Sequence, residues 1–250
     1  MSVPYQIKVV SLREAAARRA RFSAFAAATS LHWEYLDAEE GLTSALVYDP
    51  EEAGAVSGRP LDRGELGCYA SHVKAWSEFL SSDQQFLVVL EDDIFIDWPV
   101  LELLLENTGK LAGVEYLKLF AKIPAPYRVI RVPFLTQYHT LISYSDHSLG
   151  TQAYILSRSG ASRLIERTRK VIRPIDVEMG RTWSHGLANH ALIPFPVVEL
   201  WGRSSIGESR LAPPPNRGIA RRIRRGLEKA RRILYRARQL VLVRKPFWQA

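Results

Sequence analysis

The sequence predicts an α/β fold with a mainly parallel central sheet, and two observations favour this class. Strand-like apolar runs alternate with helix-like segments along residues 6–201, and such alternation favours parallel strands joined by helices. The clearest strand, Phe86–Leu90, ends directly at three carboxylates, Glu91, Asp92 and Asp93. In open α/β sheets, ligands bind just outside the carboxyl ends of the strands.

The first half of the chain supplies most of the predicted elements. The β-branched run Gln6–Leu12 predicts a buried strand, and the apolar residues of Glu65–Ser81 recur at the spacing of an amphipathic helix. Asp49–Gly64 contains three glycines and two prolines, and we interpret it as a loop. Further helices are predicted at Arg13–Ala28 and Pro99–Thr108, and further strands at Leu31–Leu36 and Tyr116–Phe120.

The second half of this body is less regular, because prolines interrupt it at positions 124, 126 and 133. Gln152–Leu156 predicts a strand, and Ser159–Thr168 predicts a helix that opens with a serine cap. The strand-like segment Val197–Trp201 is the last predicted element of the body. We place this first domain at residues 1–211.

Residues 212–250 are predicted to form a separate tail. Ala212–Asn216 (APPPN) is a break that no helix is expected to cross. Beyond it, apolar residues recur at steps of three and four from Ile219 to Val241, with arginines on the other faces. This pattern predicts an amphipathic basic helix separate from the core.

The charge of the tail differs sharply from that of the body. From Arg217 onward the chain carries 12 Lys and Arg against one Glu, a net charge of +11, whereas the preceding 216 residues carry −3. Such an asymmetry indicates that the tail meets an anionic surface. Residues 217–245 combine an apolar stripe with a dense arginine face, and Phe247 and Trp248 follow, a pattern typical of a helix lying in a membrane interface. The alternative is a solvated tail.

Composition limits the class of protein further. With 47% hydrophobic and 24% charged residues among 250, the chain is typical of a globular protein and not of a disordered or fibrous one. The single cysteine, Cys68, excludes an internal disulfide framework. No apolar run predicts a membrane-spanning helix, and the start of the chain does not resemble a secretory signal. A cytoplasmic location is therefore expected.

The acidic triplet Glu91–Asp92–Asp93 is the first candidate for chemistry. Three adjacent carboxylates repel one another, and a bound cation relieves that repulsion. Oxygen ligands favour Mg²⁺ or Mn²⁺, and Mg²⁺ is often held by one or two carboxylates together with substrate phosphates. The alternative is a solvated acidic turn that follows a core strand.

Several short motifs lie before and after the triplet, and they occur in a fixed order along the chain. The two strongest are Glu65–His72 (ELGCYASH) with Trp76, and Leu90–Asp93 (LEDD). Further motifs lie at Val9–Leu12 with Arg18 and Arg19, Asp37–Ala38 near Gly41, Gly150–Tyr154 with Ser157 and Gly160–Ala161, and Pro174–Asp176. Over residues 5–210 this order resembles glycosyltransferase family 25. The sequence departs from the family at Ser11, where many members carry Asn, and at residues 121–149, which match no family segment.

The resemblance implies a GT-A-like nucleotide-sugar-binding fold and a metal-dependent transferase. The triplet then corresponds to the family's DXD motif, with Asp93 and Glu91 as metal ligands and Asp92 contacting metal, water or ribose. The cofactor would be Mn²⁺ or Mg²⁺, acting as a Lewis acid on the departing diphosphate. Transfer with inversion, which the resemblance also suggests, needs a general base. Asp176 is the candidate and Glu178 the runner-up, while a helix N-cap is the alternative role for Asp176.

The remaining candidates for contact with the donor or the acceptor are Arg13, Arg18, Arg19, His72, Gly150, Thr151 and Gln152. The arginines would reach the donor phosphates, the histidine would contact the donor or support the acidic loop, and the glycine turn would bring backbone close to donor or acceptor. The structural alternatives are solvated arginines, a packed histidine and an ordinary strand-entry turn. Glu65 is either a site residue or a first-turn acid favoured by the helix dipole, and Cys68 is expected in the core.

Residues and resemblance together predict a hexosyltransferase. It would transfer a sugar, galactose first, from UDP-galactose or UDP-glucose to a lipid-linked oligosaccharide in lipopolysaccharide or lipooligosaccharide biosynthesis. The expected location is cytoplasmic and peripheral on the inner membrane, with residues 217–245 on anionic lipid. Two other classes are alternatives: a non-enzymatic nucleic-acid-binding protein with an arginine-rich tail, and a metal-dependent phosphohydrolase. Nucleic acid is not the expected partner, because the arginines lack a regular interleaving of base-stacking aromatic residues.

Overall fold

Helices flank a central eight-stranded sheet, and the computed structural model describes residues 4–200 and 219–242. The elements of the first half are β1 (Tyr5–Ser11), α1 (Ala16–Ala26), β2 (Glu34–Asp37), β3 (Val47–Tyr48), α2 (Pro50–Ser57), α3 (Arg63–Leu80), β4 (Phe86–Glu91), β5 (Ile94–Ile96), α4 (Trp98–Glu106), a 3₁₀ turn (Thr108–Leu111) and β6 (Tyr116–Lys118). Those that follow are β7 (Tyr127–Arg131), β8 (Thr140–Tyr144), β9 (Ala153–Ser157), α5 (Arg158–Thr168), β10 (Lys170–Val171), α6 (Ile175–Gly180), α7 (Thr182–His185), β11 (His190–Ile193), β12 (Val197–Glu199) and α8 (Ile219–Leu242).

The strand order in the sheet is β2-β1-β4-β9-β6-β11-β8-β7. β1 is parallel to both β2 and β4, and β6 is parallel to β11. β9 and β8 each run antiparallel to both of their neighbours. The α/β class is therefore confirmed, but the sheet is mixed and less parallel than predicted. The described segment 119–152 contains no helix, and parallel neighbours need long crossovers that are usually helical.

The core lies on both faces of the sheet, as β4 illustrates. Its Val88 and Leu90 pack with α1 and α4 on one face, whereas Leu87 and Val89 pack with α3 and α5 on the other. Successive strand residues point to opposite faces, so a strand covered on both sides must be apolar at every position. This explains the uninterrupted run Phe86–Leu90, which the sequence identified as the clearest strand.

The prediction of a loop over Asp49–Gly64 is wrong, because α2 forms within it. The Asp49 carboxylate accepts hydrogen bonds from the backbone N–H groups of Glu51 at 2.8 Å and Glu52 at 3.1 Å. Pro50 occupies the first turn, where its missing N–H costs nothing, and Gly58 ends the helix with a φ of 95°. The residues interpreted as loop formers are in fact the start and stop signals of a short helix.

Helix α3 approaches the loop after β2 more closely than any residue but glycine allows. A Cβ on Gly67 would lie 2.3 Å from the carbonyl oxygen of Glu39. One turn later the Ser71 hydroxyl accepts a hydrogen bond from the Glu39 N–H at 2.8 Å. The helix thereby fixes residues 38–40, which form part of the wall of the cleft described below.

The tail is described only in part. Helix α8 spans Ile219–Leu242, and its side chains are described from residue 226 to residue 237. The break Ala212–Asn216 and the aromatic pair Phe247–Trp248 lie outside the described residues, so the division at residue 212 stays a prediction. Among the helices described, none combines the length and the apolar character needed to cross a membrane.

Candidate functional site

A cleft of about 420 Å³ opens at the carboxyl ends of β1 and β4. The strand order reverses at this point, because the chain proceeds from β1 to β2 on one side and to β4 on the other. Such a reversal leaves a crevice outside the strand ends. The predicted site residues that line it are Arg18, Glu91, Asp92, Asp93, Gly150, Thr151, Gln152 and Asp176.

Asp92 is held by the body of the protein. It is buried, its Oδ2 accepts a 2.6 Å hydrogen bond from the Ser11 hydroxyl, and its Oδ1 lies 3.3 Å from the Arg18 guanidinium. Its negative charge is therefore compensated by neighbouring side chains. This arrangement makes Asp92 an anchor of the acidic loop.

Asp93 is in the opposite situation. Its Oδ1 is buried and has no hydrogen-bond partner among the described residues. Burial, together with the negative charges of Glu91, Asp92 and Glu199, raises the pKa of Asp93 to about 7. A carboxylate with this environment lacks the compensating charge that buried acids normally have. Asp93 is therefore the carboxylate of the cleft whose charge the described residues leave uncompensated.

Glu91 remains ionised despite its surroundings. Burial alone would raise its pKa, but His72, the Thr151 hydroxyl and Lys122 together leave the pKa of Glu91 below its ordinary value. The Thr151 hydroxyl donates a 2.6 Å hydrogen bond to Glu91 Oε1, and His72 Nε2 lies 3.7 Å from the same oxygen. Glu91 thus offers a charged carboxylate beside Asp93.

His72 lies beneath the acidic loop and does not line the cleft. Its Nδ1 is 2.8 Å from the Tyr154 hydroxyl, which accepts a hydrogen bond from Trp76 Nε1 at 2.8 Å. The Tyr154 hydroxyl can therefore donate its own proton to His72 Nδ1. The imidazole proton of His72 then lies on Nε2, which faces Glu91. Of the roles considered for His72, this geometry favours support of the acidic loop.

The turn at Gly150–Gln152 approaches the cleft from the other side. Gly150 has a φ of +110°, and a Cβ there would lie 3.0 Å from the Lys122 backbone nitrogen, so only glycine suits this position. Beneath it the fully buried Lys118 ammonium donates to the carbonyls of Gly150 at 2.8 Å and Ser148 at 3.0 Å. Burial lowers the pKa of Lys118 to about 7.

The two candidate bases on α6 have different surroundings. Asp176 lines the cleft, one residue into the helix, and the N-cap position belongs to Pro174. The N-cap alternative for Asp176 is therefore wrong. Glu178 lies outside the cleft, where its carboxylate accepts from Arg173 at 2.9 Å and Arg181 at 2.7 Å. These bonds leave Glu178 poorly placed to remove a proton from a ligand in the cleft.

Three further residues discussed in the sequence analysis lie in or near this region. Arg13 is outside the cleft and fits the solvated alternative, with its side chain 85% exposed and 3.5 Å from Asp37. Cys68, expected in the core, is partly buried and packs against the core, and it also lines the cleft. Of the two roles considered for Glu65, the structure favours the structural one. Glu65 is buried, completes a capping box with Asp62 and binds Arg59 through both oxygens at 2.7 Å.

Sequence reasoning missed several charged residues at the site, among them Lys118, Lys122 and Glu199. Lys118 lies under the glycine turn, and Lys122 pairs with Glu199 at 2.7 Å on the cleft wall. Lys118 is the last residue of a short strand, and a lysine at that place in the sequence suggests that the strand has reached the protein surface. Lys122 lies in the segment 121–149, which contains no recognisable motif. The only signal for it in the sequence is its position between the acidic triplet and the motif at Gly150.

The carboxylates of the cleft could provide only part of a metal coordination sphere. Over residues 4–200 and 219–242, no three His, Cys, Asp or Glu side chains are grouped closely enough to hold a metal ion by themselves. Mg²⁺ and Mn²⁺ sites at phosphates commonly use one or two carboxylates, with water and phosphate oxygens completing the shell. Asp93 and Glu91 fit that partial role.

Comparison with known proteins gives a consistent family. A model described as glycosyltransferase family 25 (LPS biosynthesis protein) matches residues 5–179. Procollagen galactosyltransferase 1 of Danio rerio is 29% identical over 128 residues, which is 48% of this chain and 20% of that protein. A glycosyltransferase 25 family member of Anopheles gambiae is 32% identical over 183 residues, 68% of this chain and 30% of that protein.

A third relative differs in its name. The probable inactive glycosyltransferase 25 family member 3 of Rattus norvegicus is 30% identical over 173 residues, 64% of this chain and 29% of that protein. This chain therefore spans less than a third of the length of each of these curated relatives.

Proposed function

Since this chain belongs to glycosyltransferase family 25, we propose that it transfers galactose from UDP-galactose to a lipid-linked oligosaccharide in lipopolysaccharide or lipooligosaccharide biosynthesis. UDP-glucose is the alternative donor. The mixed α/β fold is consistent with a GT-A-like glycosyltransferase. Because one relative is named as probably inactive, catalytic activity is itself part of the proposal.

The observation that carries the proposal is the contrast between Asp92 and Asp93. Asp92 is compensated by Ser11 and Arg18, whereas Asp93 keeps a buried oxygen without a partner in the described chain. An uncompensated carboxylate that is partly buried in a cleft lowers the stability of the folded protein. A ligand that brings positive charge to this carboxylate would remove that cost. A nucleotide diphosphate bound with a divalent cation has the chemistry to do so.

Asp93 and Glu91 would hold Mn²⁺ or Mg²⁺, which as a Lewis acid compensates charge on the departing diphosphate. The protein's own residues prepare this position. Thr151 and His72 keep Glu91 charged, and Ser11 fixes Asp92, so that the acidic loop cannot turn away from the cleft. Arg18, which pairs with Asp92, also lines the cleft and would contact the donor phosphates from there.

On the acceptor side, Asp176 would accept the proton of the attacking hydroxyl. It lines the cleft shared with the acidic loop, unlike Glu178, which Arg173 and Arg181 occupy. General-base assistance requires a carboxylate that reaches the reacting hydroxyl. Attack by that hydroxyl on the face of the sugar opposite the departing diphosphate would invert the anomeric centre.

The tail helix supports a membrane location for the acceptor. On α8, Glu228, Arg232 and Arg236 pair with the body, while Leu227 and Leu234 are exposed at 59% and 69%. In the described part of α8 the apolar residues thus face away from the protein, and cationic residues flank them. An amphipathic helix with this orientation suits an anionic membrane surface. We place the protein in the cytoplasm, peripheral on the inner membrane.

The proposal is tested by measuring UDP release from UDP-galactose and UDP-glucose, with and without Mn²⁺. Cation-dependent turnover by the natural protein and its loss in Asp93→Asn are expected. Asp83→Asn, which changes an exposed aspartate away from the cleft, is the matched control and should keep full activity. Equal turnover in both variants would contradict the proposal, and hydrolysis of simple phosphate esters would favour the phosphohydrolase alternative.

A further inference from the structure

Glu228 of α8 closes a ring of ion pairs around the helix that carries Asp176. Its two oxygens accept hydrogen bonds from Arg173 at 2.8 Å and Arg181 at 2.6 Å. The same two guanidinium groups bind Glu178 on α6. Arg173 precedes α6 and Arg181 follows it, so the ring holds both ends of this six-residue helix.

A second ionic contact joins α8 to the turn that precedes the glycine loop. Asp146 Oδ2 lies 3.1 Å from Arg232 and also accepts a hydrogen bond from Arg236. The turn packs directly against α6, since a Cβ on Gly180 would lie 2.9 Å from His147 Cβ and 3.1 Å from the Ser148 carbonyl oxygen. Two residues beyond Ser148, Gly150 borders the cleft.

The contacts described above between α8 and the body are ion pairs, although α8 also carries large apolar side chains. Leu227, Ile233 and Leu234 all point outward, with exposures of 59%, 53% and 69%. A cavity of about 480 Å³ lies between α8 and α6, lined by Arg173, Arg181 and Glu228 among others. Because these large apolar side chains in the described part of α8 stay mostly exposed, its docking relies on charge pairs, which salt weakens when they are partly exposed.

From these contacts we propose that α8 is a positioning element for the acceptor side of the cleft. Glu228 and Asp146 are the anchors through which it acts, because they connect the tail to the two segments that present Asp176 and Gly150. Undocking of α8 loosens both segments together. Neither anchor touches the cleft, so both are positioning residues.

Hydrogen exchange measured by mass spectrometry on the full-length protein tests the coupling directly. In Glu228→Gln combined with Asp146→Asn, faster exchange is expected in residues 146–152 and 173–181, and unchanged exchange in β1 and α1. Glu166→Gln, at a 70% exposed carboxylate on α5, is the control and should change neither region. Faster exchange confined to α8 itself would overturn the inference.

The activity part of the test rests on the proposed function. The double variant should lower kcat for transfer about tenfold, as small misplacements of reacting groups do. Glu228→Asp should restore part of the loss. An unchanged kcat in an active preparation would overturn the inference. Absence of turnover in the natural protein would refute the proposed function instead, and the exchange result would then decide the coupling alone.

Discussion

The Ser11 hydroxyl donates a 2.6 Å hydrogen bond to Asp92 Oδ2 and thereby joins the ends of β1 and β4. Both side chains are buried, with 2% and 3% of their surface exposed. The Arg19 Nε–H in turn donates to the Ser11 hydroxyl at 3.1 Å. This contact helps to explain why Asp92, and not Asp93, is held by the body of the protein.

Replacing Ser11 by alanine should therefore weaken both the fold and the site. The buried Asp92 carboxylate would lose a hydrogen bond, which lowers the free energy of unfolding by about 1–3 kcal/mol. The KM for the nucleotide sugar should rise, because the acidic loop is no longer fixed. Chemical denaturation and steady-state kinetics measure the two effects. Ser23→Ala, at an exposed serine of α1, should show neither; equal effects in both variants would argue against a special role of the contact.

Substitutions of the two acidic residues of α6, Asp176 and Glu178, should have different effects on transfer and on stability. Asp176→Asn is expected to reduce the transfer rate by about 10²–10⁴, the usual contribution of a general base, with donor binding unchanged. Glu178→Gln should instead lower the melting temperature, because Arg173 and Arg181 lose a charged partner. Pre-steady-state transfer and calorimetry distinguish these outcomes. The assignment fails if Glu178→Gln abolishes transfer while Asp176→Asn retains it.

The elements that the sequence predicted well are those with strong local signals. Phe86–Leu90 is apolar at every position because it is buried on both faces, and Glu65–Ser81 carries the full helical spacing of α3. The acidic triplet was placed at the correct edge of the sheet because strand and carboxylates are adjacent in the chain. The motif order led to the correct family.

What the sequence could not supply depends on contacts between distant segments. The roles of Asp92 and Asp93 differ through Ser11 and Arg18, which lie on β1 and α1. Glu178 differs from Asp176 because of arginines on either side of α6. Strand direction was also out of reach, since an apolar run has the same pattern whether its neighbour is parallel or antiparallel.

The buried Lys118 should give stability a distinctive pH dependence. Its folded pKa of about 7 lies below the ordinary value of 10.5, so between these values the unfolded chain binds more protons than the folded one. The free energy of unfolding should consequently rise with pH across this window. In Lys118→Met this contribution disappears, and the carbonyls of Ser148 and Gly150 lose their donor. Urea titrations of both proteins from about pH 7 to pH 10 measure the difference; parallel curves would contradict burial of a titrating lysine.

The outward apolar stripe of α8 should be required at the membrane. Leu234→Asp is expected to weaken binding to vesicles containing phosphatidylglycerol, because it places a charge on the face that enters the interface. Val47→Asp, at a body valine that is 63% exposed, is the matched control. Cosedimentation measures both. If the two variants bind as well as the natural protein, membrane attachment through this face is wrong.

The central claim is that Asp93 completes a cation site shared with a nucleotide diphosphate. Calorimetric titration of UDP into the protein, with and without Mn²⁺, tests this claim without requiring an acceptor. Mn²⁺ is expected to strengthen UDP binding to the natural protein and to Asp83→Asn, but not to Asp93→Asn. Binding of UDP that is equally strong with and without Mn²⁺, or equally enhanced by Mn²⁺ in Asp93→Asn, would contradict it.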